Sequence, residues 1–166
     1  MDALPATLLV FRIGEARFAI DAGRVRDIVP MLPLWRPPSL PAPLAGFVSI
    51  AGGILPVLDP AILFGAPPRK AAGLFAHIIR PHGAGAQMPC LLVDRVEDVR
   101  SAEPAAIAPV SPEHSQGGAV IGEVSLEDGI AHLLSLDRLL ADAERARIAD
   151  LTDDALRRAA DWAIPV

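Results

Sequence analysis

Cysteine is nearly absent from this chain of 166 residues, which contains only Cys90. A single cysteine cannot form a disulfide within the chain. Proteins without disulfides are typical of reducing compartments, so we expect a cytoplasmic protein. The length suits one domain, or two small β subdomains that share a core.

Runs of basic residues are also missing. The net charge is −5, and the longest basic clusters are the pairs Arg69-Lys70 and Arg157-Arg158. Proteins that bind nucleic acid neutralise several phosphates at once with Lys and Arg side chains. We therefore do not expect nucleic acid as a partner.

Long apolar runs are absent as well. The longest, residues 54–58, is far shorter than the ~20 residues that a membrane-spanning helix needs. The N-terminus carries an acid at Asp2 and no basic segment, and its apolar run ends at Arg12. We therefore expect neither a signal peptide nor direct insertion into a membrane.

Patterns that carry chemistry are missing too. There is no His-x-His, no His-Glu-x-x-His and no cysteine at a ligand spacing, so we predict no metal site. Cys90 lies in an apolar strand and is interpreted as a small buried hydrophobe. The loop 83–88 lacks the third glycine of a dinucleotide fingerprint and does not open a helix. We therefore predict no catalytic residue and no cofactor, and a protein that is not an enzyme. The scattered histidines are His77, His82, His114 and His132.

Short strands are what the chain has in abundance. Segments rich in β-branched and aromatic residues recur at regular spacing between turn signals, which is typical of β-barrels or sandwiches. We therefore predict a mostly β fold. The predicted strands are residues 7–13, 16–21, 25–29, 44–51, 54–59, 74–80, 88–94, 95–100, 119–125 and 129–136.

The stretch FVSIAGGILPVLDP, residues 47–60, places two adjacent glycines between apolar residues. We interpret it as a β-hairpin and not as a phosphate loop. Its turn is expected at Gly52-Gly53, where glycine permits positive φ angles. Pro56 is expected to mark a bulge or an edge, because proline cannot donate a hydrogen bond to a ladder.

The period of the apolar residues changes only near the C-terminus. A stripe at helical spacing predicts helices at about 137–149 and 152–163, with Thr152 as the N-cap of the second. We expect residues 1–146 to form the main domain and residues 147–166 to form a helical extension that packs on it. The stripe consists of Ile148, Leu151, Ala155, Ala159 and Trp162.

The mean hydropathy of the chain, +0.39, is high for a charged globular protein. Such an excess indicates more apolar surface than a lone monomer of this size needs. We therefore expect protein partners.

Several motifs in order resemble the CheW family of chemotaxis coupling proteins over residues 8 to about 146. They are LLVFRIGEARFAID, VRDIV, LPAPLAGFVSIAGGILPVLD, LLVDRVEDV and AVIGEVSLEDGIAHLLSLDRLL. The resemblance implies two interleaved five-stranded β-barrels that act as a scaffold without catalysis. It also implies two partners, the regulatory domain of a CheA-type histidine kinase and the cytoplasmic tip of a methyl-accepting chemoreceptor.

The resemblance further implies a protein-binding groove between the two barrels. A receptor tip is a helical hairpin, and an apolar groove can accept its side chains at i, i+3 and i+4. By position, the expected binding residues are Val25, Asp27, Ile28, Gly46, Ala51, Gly52, Val96 and Val99.

The chain departs from the family pattern within the hairpin. Where the family reads Asn-x-Arg-Gly, this chain reads Ser49-Ile50-Ala51-Gly52, so that a methyl group replaces a guanidinium. Two interpretations therefore stay open. The first is an adaptor that couples kinase to receptor, and the second is a partner-restricted regulatory protein without the usual receptor engagement. A small-molecule-binding or catalytic barrel is a weaker third.

Overall fold

The computed structural model describes residues 7–67 and 73–161, and its architecture is mostly β. Two sheets are followed by one long C-terminal helix. The strands are β1 (Thr7–Ile13), β2 (Ala16–Asp21), β3 (Val25–Pro30), β4 (Leu44–Ile50), β5 (Gly53–Leu58), β6 (His77–Pro81), β7 (Cys90–Val93), β8 (Arg95–Ser101), β9 (Ile107–Ala108), β10 (Val120–Leu126) and β11 (Gly129–Leu134). The α-helices are α1 (Pro60–Leu63) and α2 (Asp142–Asp161), and single 3₁₀ turns form at Ala22–Arg24, Pro104–Ala106, Pro112–His114 and Leu136–Arg138.

The two sheets are nested in the chain. The first sheet has the order β8-β1-β2-β11-β10-β9, and the second has the order β3-β6-β7-β5-β4. All strands of the second sheet come from the continuous segment between β2 and β8. Neighbours pair antiparallel except β2 with β11 and β5 with β7, which are parallel.

The expected pair of five-stranded barrels is not confirmed. The first sheet has six strands, because the two-residue strand β9 joins it through β10. The predicted strands did not include β9, since two residues inside a loop of Pro, Ser and His give no alternation to detect. Within the described residues, neither sheet closes into a barrel, and the end strands are β8 and β9 in the first sheet and β3 and β4 in the second.

A large hydrophobic cluster lies between the sheets and joins them. The first sheet contributes apolar side chains such as Phe11 and Phe18, and the second contributes Ile79 and Leu91. A separate buried cluster fills the other face of each sheet. Both faces are thus buried over much of each sheet, which explains why many strands are apolar at successive positions.

The strand predictions are otherwise confirmed, with shifts of a few residues at the ends. The largest shift concerns the predicted strand 74–80, which begins only at His77. Leu74 and Phe75 therefore precede the strand and are largely exposed.

The hairpin of β4 and β5 has its turn one residue earlier than expected. Its two-residue loop is Ala51-Gly52, with φ angles of 52° and 80°, and Gly53 already belongs to β5. Two positive φ angles in a two-residue loop are typical of a type I′ turn, which matches the twist of the strands. Ala51 is therefore a non-glycine residue in a left-handed conformation.

Pro56 marks neither an edge strand nor a bulge. It lies in β5, between β7 and β4, and the register shift of the hairpin falls at Leu44/Gly46. Pro56 faces Phe47, whose N–H and C=O both bond to Trp35 at 2.8 Å. Because Phe47 makes its bonds on the other side, no ladder bond to Phe47 is lost at the proline.

One helix ends the described chain where two were expected. Thr152 is buried inside α2, and its hydroxyl donates to the carbonyl of Ile148 at 2.7 Å instead of capping a new helix. The helix begins where the Glu144 carboxylate accepts from the backbone N–H of Ala141 at 2.7 Å, one half of a capping box. The expected domain boundary at 146/147 therefore falls within α2.

The apolar stripe of α2 packs against β4 and β5, as expected. Ala155 and Ala159 are buried against Leu44, Phe47 and Ile54. Small side chains allow the helix to approach the sheet closely. The last predicted stripe residue, Trp162, lies outside the described residues.

Candidate functional site

The structure divides the eight predicted binding residues into two groups. Five lie on the edge strands β3 and β8, one from each sheet, and we call them the edge-strand surface: Val25, Asp27, Ile28, Val96 and Val99. Three lie on the β4–β5 hairpin, which we call the hairpin surface: Gly46, Ala51 and Gly52. Three strands separate β3 from β4 in the second sheet. The assignment of all eight residues to a single groove stays a prediction.

Val25 and Val96 connect the two edges. Both side chains are partly buried and pack against the cluster between the sheets. They bring β3 and β8 alongside the same core, although each strand ends a different sheet. These two valines therefore contribute to packing as well as to the edge-strand surface.

Ile28 and Val99 are the exposed apolar residues of these edges. Their side chains are 36% and 56% exposed. Neither strand has a partner on its outer side within the described residues, so backbone N–H and C=O groups are also accessible there. Exposed apolar side chains on an unpaired strand are typical of a protein-binding edge.

Asp27 is held in a fixed ion pair with Arg80. The two residues face each other across β3 and β6, and the Arg80 Nε lies 2.8 Å from Asp27 Oδ1. The second guanidinium nitrogen contacts the other carboxylate oxygen. Hydrogen bonding from Arg80 lowers the pKa of Asp27 below its usual value. The edge-strand surface thus presents a rigid, largely neutralised pair and not a free acid.

Strand β8 is anchored by a network of arginines and carboxylates. Arg17, which is buried, donates to Glu97 at 3.0 Å and to Asp128 at 3.1 Å. Arg12 lies 3.1 Å from Glu97, and Arg100 lies 2.8 Å from Asp128. Hydrogen bonds to Asp128 and then to Glu97 raise the pKa of Arg17. We call these five residues the arginine–carboxylate network.

Gly46 is required by a close approach of the backbone. Its φ angle is 150°, and an added Cβ would lie 2.8 Å from the carbonyl oxygen of Trp35. That distance is shorter than real Cβ contacts, so any side chain would displace the segment that pairs with Phe47. Gly46 therefore shapes the hairpin surface and offers a partner no side chain.

Ala51 and Gly52 form the exposed tip of the hairpin surface. Nothing lies within 4 Å of a Cβ added at Gly52. Ala51 is exposed, so a longer side chain at this position would extend into solvent. The place where the resemblance implies an arginine is accessible, but here it offers only a methyl group.

An exposed aromatic residue near β8 was not among the predicted sites. Phe75 is 64% exposed, and the Arg95 guanidinium carbon lies 5.8 Å from its ring centroid. Arg95 is the first residue of β8, next to Val96. The exposure of Phe75 could not be predicted from the sequence, because the residue lies in an apolar segment that is typical of a buried strand.

Cys90, the side chains that could bind a metal and the helices each bear on a property considered in the sequence. Cys90 is fully buried, and burial raises the pKa of its thiol to about 12. Within residues 7–67 and 73–161, no three His, Cys, Asp or Glu side chains are grouped as a metal site would require. No helix in the same ranges has the length and apolar character needed to cross a membrane.

The chain is similar in sequence to a known protein family and to two of its members. A model of the CheW-like domain matches residues 7–144. The probable chemotaxis protein CheW of Rhizobium etli is 28% identical over 140 residues, which cover 82% of this chain and 88% of the relative. The chemotaxis protein CheW of Rhizobium meliloti is 26% identical over 140 residues, which cover 83% and 89%.

A solved structure is similar in fold. The crystal structure of the scaffolding protein TtCheW from Thermoanaerobacter tengcongensis superposes with a TM-score of 0.71 at 23% identity. The superposition covers 84% of this chain and 90% of that protein. The similarity therefore extends over nearly the whole of both chains.

Proposed function

The chain belongs to the CheW-like family of chemotaxis coupling adaptors, and from this membership we propose that it joins a CheA-type histidine kinase to chemoreceptors. The kinase contact is made to its regulatory domain, and the receptor contact is made to the cytoplasmic tip. The protein works by binding both partners at once and not by catalysis. A cytoplasmic location goes with this proposal, because the receptor tips lie on that side of the membrane.

The observation that carries the proposal is the edge-strand surface. Ile28 and Val99 expose apolar side chains on two unpaired strands, and the Asp27–Arg80 pair fixes the geometry beside Ile28. A helical hairpin presents apolar side chains along one face, which suits such a surface. Phe75 adds an exposed aromatic ring near the start of β8, and aromatic rings often dominate binding energy.

The hairpin surface is a second accessible contact. Its turn, Ala51-Gly52, is exposed, and β4 lies at the opposite end of the second sheet from β3 in strand order.

The proposal is tested by measuring binding to each partner separately. Val99→Asp places a charge on the edge-strand surface and is expected to weaken receptor-tip binding at least tenfold. Ile130→Asp is the matched control, because Ile130 is 54% exposed and lies on β11, away from β8. Isothermal titration against the kinase regulatory domain and the receptor tip would measure both affinities. Equal effects of the two substitutions would contradict the assignment of this surface.

A second candidate is a partner-restricted regulator that binds kinase without the usual receptor. The observation that favours it is Ala51, which leaves the exposed turn without the family's guanidinium. Ala51→Arg restores five donors and is expected to add receptor binding if this candidate is correct. Strong receptor binding by the wild-type chain, unchanged by Ala51→Arg, would exclude it.

A further inference from the structure

A cleft of about 480 Å³ opens between the first sheet and the region of α1, at the end that carries the β1–β2 turn. Phe18 of β2 and Phe64, which follows α1, form its apolar wall, with ring centroids 5.3 Å apart. The segment that holds Glu113 and His114 forms a further side. The volume lies within the range of about 300–1,000 Å³ that is usual for small-molecule sites.

Glu123 and His132 place polar groups against this apolar wall. They face each other across β10 and β11, and the His132 ring lies 5.5 Å from that of Phe18. Glu123 is only half-buried, on the strand face opposite to the buried Val124. Within the described residues, its carboxylate has no hydrogen-bond or ion-pair partner. A carboxylate that lines a partly apolar cleft and has no such partner favours a positively charged ligand.

The charged residues that line the cleft also favour a positively charged ligand. Two carboxylates, Glu123 and Glu113, line the cleft, and no Lys or Arg is among the described lining residues. In contrast, the carboxylates of the arginine–carboxylate network are all paired. The cleft is thus a place where the protein supplies negative charge and apolar surface together.

We propose that this cleft binds a small organic cation, whose ammonium group pairs with Glu123 while its apolar body packs on Phe18 and Phe64. The ligand would contact the first sheet through Phe18 and the segment that connects β5 to β6 of the second sheet through Phe64. It occupies neither the edge-strand surface nor the hairpin surface, so it can be bound while protein partners are in place.

The proposal is tested on the full-length, ¹⁵N-labelled protein with phenethylammonium as the probe. Saturable shifts are expected for amides around Phe18, Phe64 and His132. The neutral analogue 2-phenylethanol and the anion 3-phenylpropionate are expected to bind at least tenfold more weakly, since they cannot pair with Glu123. Because this comparison uses only the wild-type protein, it does not depend on the folding of any variant.

The role of Glu123 is then tested with a matched pair of substitutions. Glu123→Gln keeps the shape of the side chain and is expected to weaken phenethylammonium binding at least tenfold. Glu127→Gln makes the same charge change in the exposed β10–β11 turn and is expected to alter affinity by less than about twofold. Absence of saturable shifts, equal binding of the neutral alcohol, or equal losses in both variants would overturn the proposal.

Discussion

The guanidinium of Arg17 on β2 reaches across β1 to the carboxylate of Glu97 on β8, with a separation of 3.0 Å between Nε and Oε1. The contact ties an edge strand to the middle of its sheet without using the backbone ladder. Since β8 carries Val96 and Val99, the same contact fixes the position of two of the five residues of the edge-strand surface.

Replacement of Arg17 by methionine should therefore destabilise the protein. The substitution keeps apolar volume but leaves Glu97 and Asp128 with fewer cationic partners, and breaking a buried pair from one side is costly. Because both carboxylates are partly exposed, we expect a loss of about 2–3 kcal/mol in unfolding free energy. Urea denaturation measures the loss, and an unchanged midpoint would contradict this role. Arg26→Met, at an exposed position on β3, is the control.

The same network predicts a dependence on pH. Hydrogen bonds from Arg17 lower the pKa of Glu97, and those from Arg100 and then Arg17 lower the pKa of Asp128. A carboxyl whose pKa is lowered by folding stabilises the protein above its unfolded pKa, and this contribution is lost as the pH falls through the folded pKa. The difference in stability between wild type and Arg17→Met should thus be constant from about pH 6 to 8 and shrink below about pH 4. A difference that stays constant down to pH 2.5 would contradict this prediction.

Ala51→Gly should stabilise the protein. Ala51 has a φ angle of 52°, a conformation that costs an L-residue about 1 kcal/mol relative to glycine. Because glycine also gains entropy in the unfolded state, we expect a net gain of about 0.5 kcal/mol. Thermal unfolding checks it. The reverse change at the neighbouring position, Gly52→Ala, should be destabilising, because Gly52 has a φ angle of 80° and alanine adopts such an angle only with strain.

Thr152→Val distinguishes one continuous helix from two. In the structure the Thr152 hydroxyl bonds to the Ile148 carbonyl within α2, and that carbonyl stays in the helix ladder when the hydroxyl is removed. We therefore expect Thr152→Val to lower the free energy of unfolding by about 0.5 kcal/mol or less. An N-cap threonine would cost about 1 kcal/mol or more. Chemical denaturation distinguishes the two values, and the larger one would support a break in the helix.

Cys90 should be unreactive in the folded protein. Burial raises the pKa of its thiol to about 12, so very little thiolate exists at pH 8, and the side chain is inaccessible. A thiol reagent at pH 8 is expected to label the protein only after a denaturant is added. Rapid labelling of the native protein would show that β7 opens readily.

The extent to which sequence predicts this molecule depends on the range of the interaction. The helical stripe of Ile148, Ala155 and Ala159 could be predicted, because its period is local. The start of α2 could not be predicted, because a threonine followed by two aspartates looks like the cap of a new helix. Only the structure shows that the Thr152 hydroxyl bonds within one continuous helix. The sequence placed the turn one residue too late, at Gly52-Gly53. Glycine is the residue that most readily adopts positive φ angles, whereas in the structure Ala51 takes the first turn position.

The site was predicted less completely than the fold. The positions on β3, β8 and the hairpin came from resemblance, but their distribution over two edge strands and a hairpin follows from the strand order. Arg17 and Asp128 are 111 residues apart, and no local pattern pairs them. Glu123 likewise becomes notable only when β11 and α1 place His132 and Phe64 beside it.

The nesting of one sheet inside the other has a consequence for synthesis of the chain. All five strands of the second sheet have been made once residue 93 has left the ribosome, so that sheet can form early. The β1–β2 hairpin is made before the other described strands, yet it lies inside the first sheet and must wait for β8 on one side and β11 on the other. Until then it has two unpaired edges that can pair wrongly. Of the described strands, the two made first are therefore among the last to be fully paired, and aggregation during folding should begin at β1 and β2.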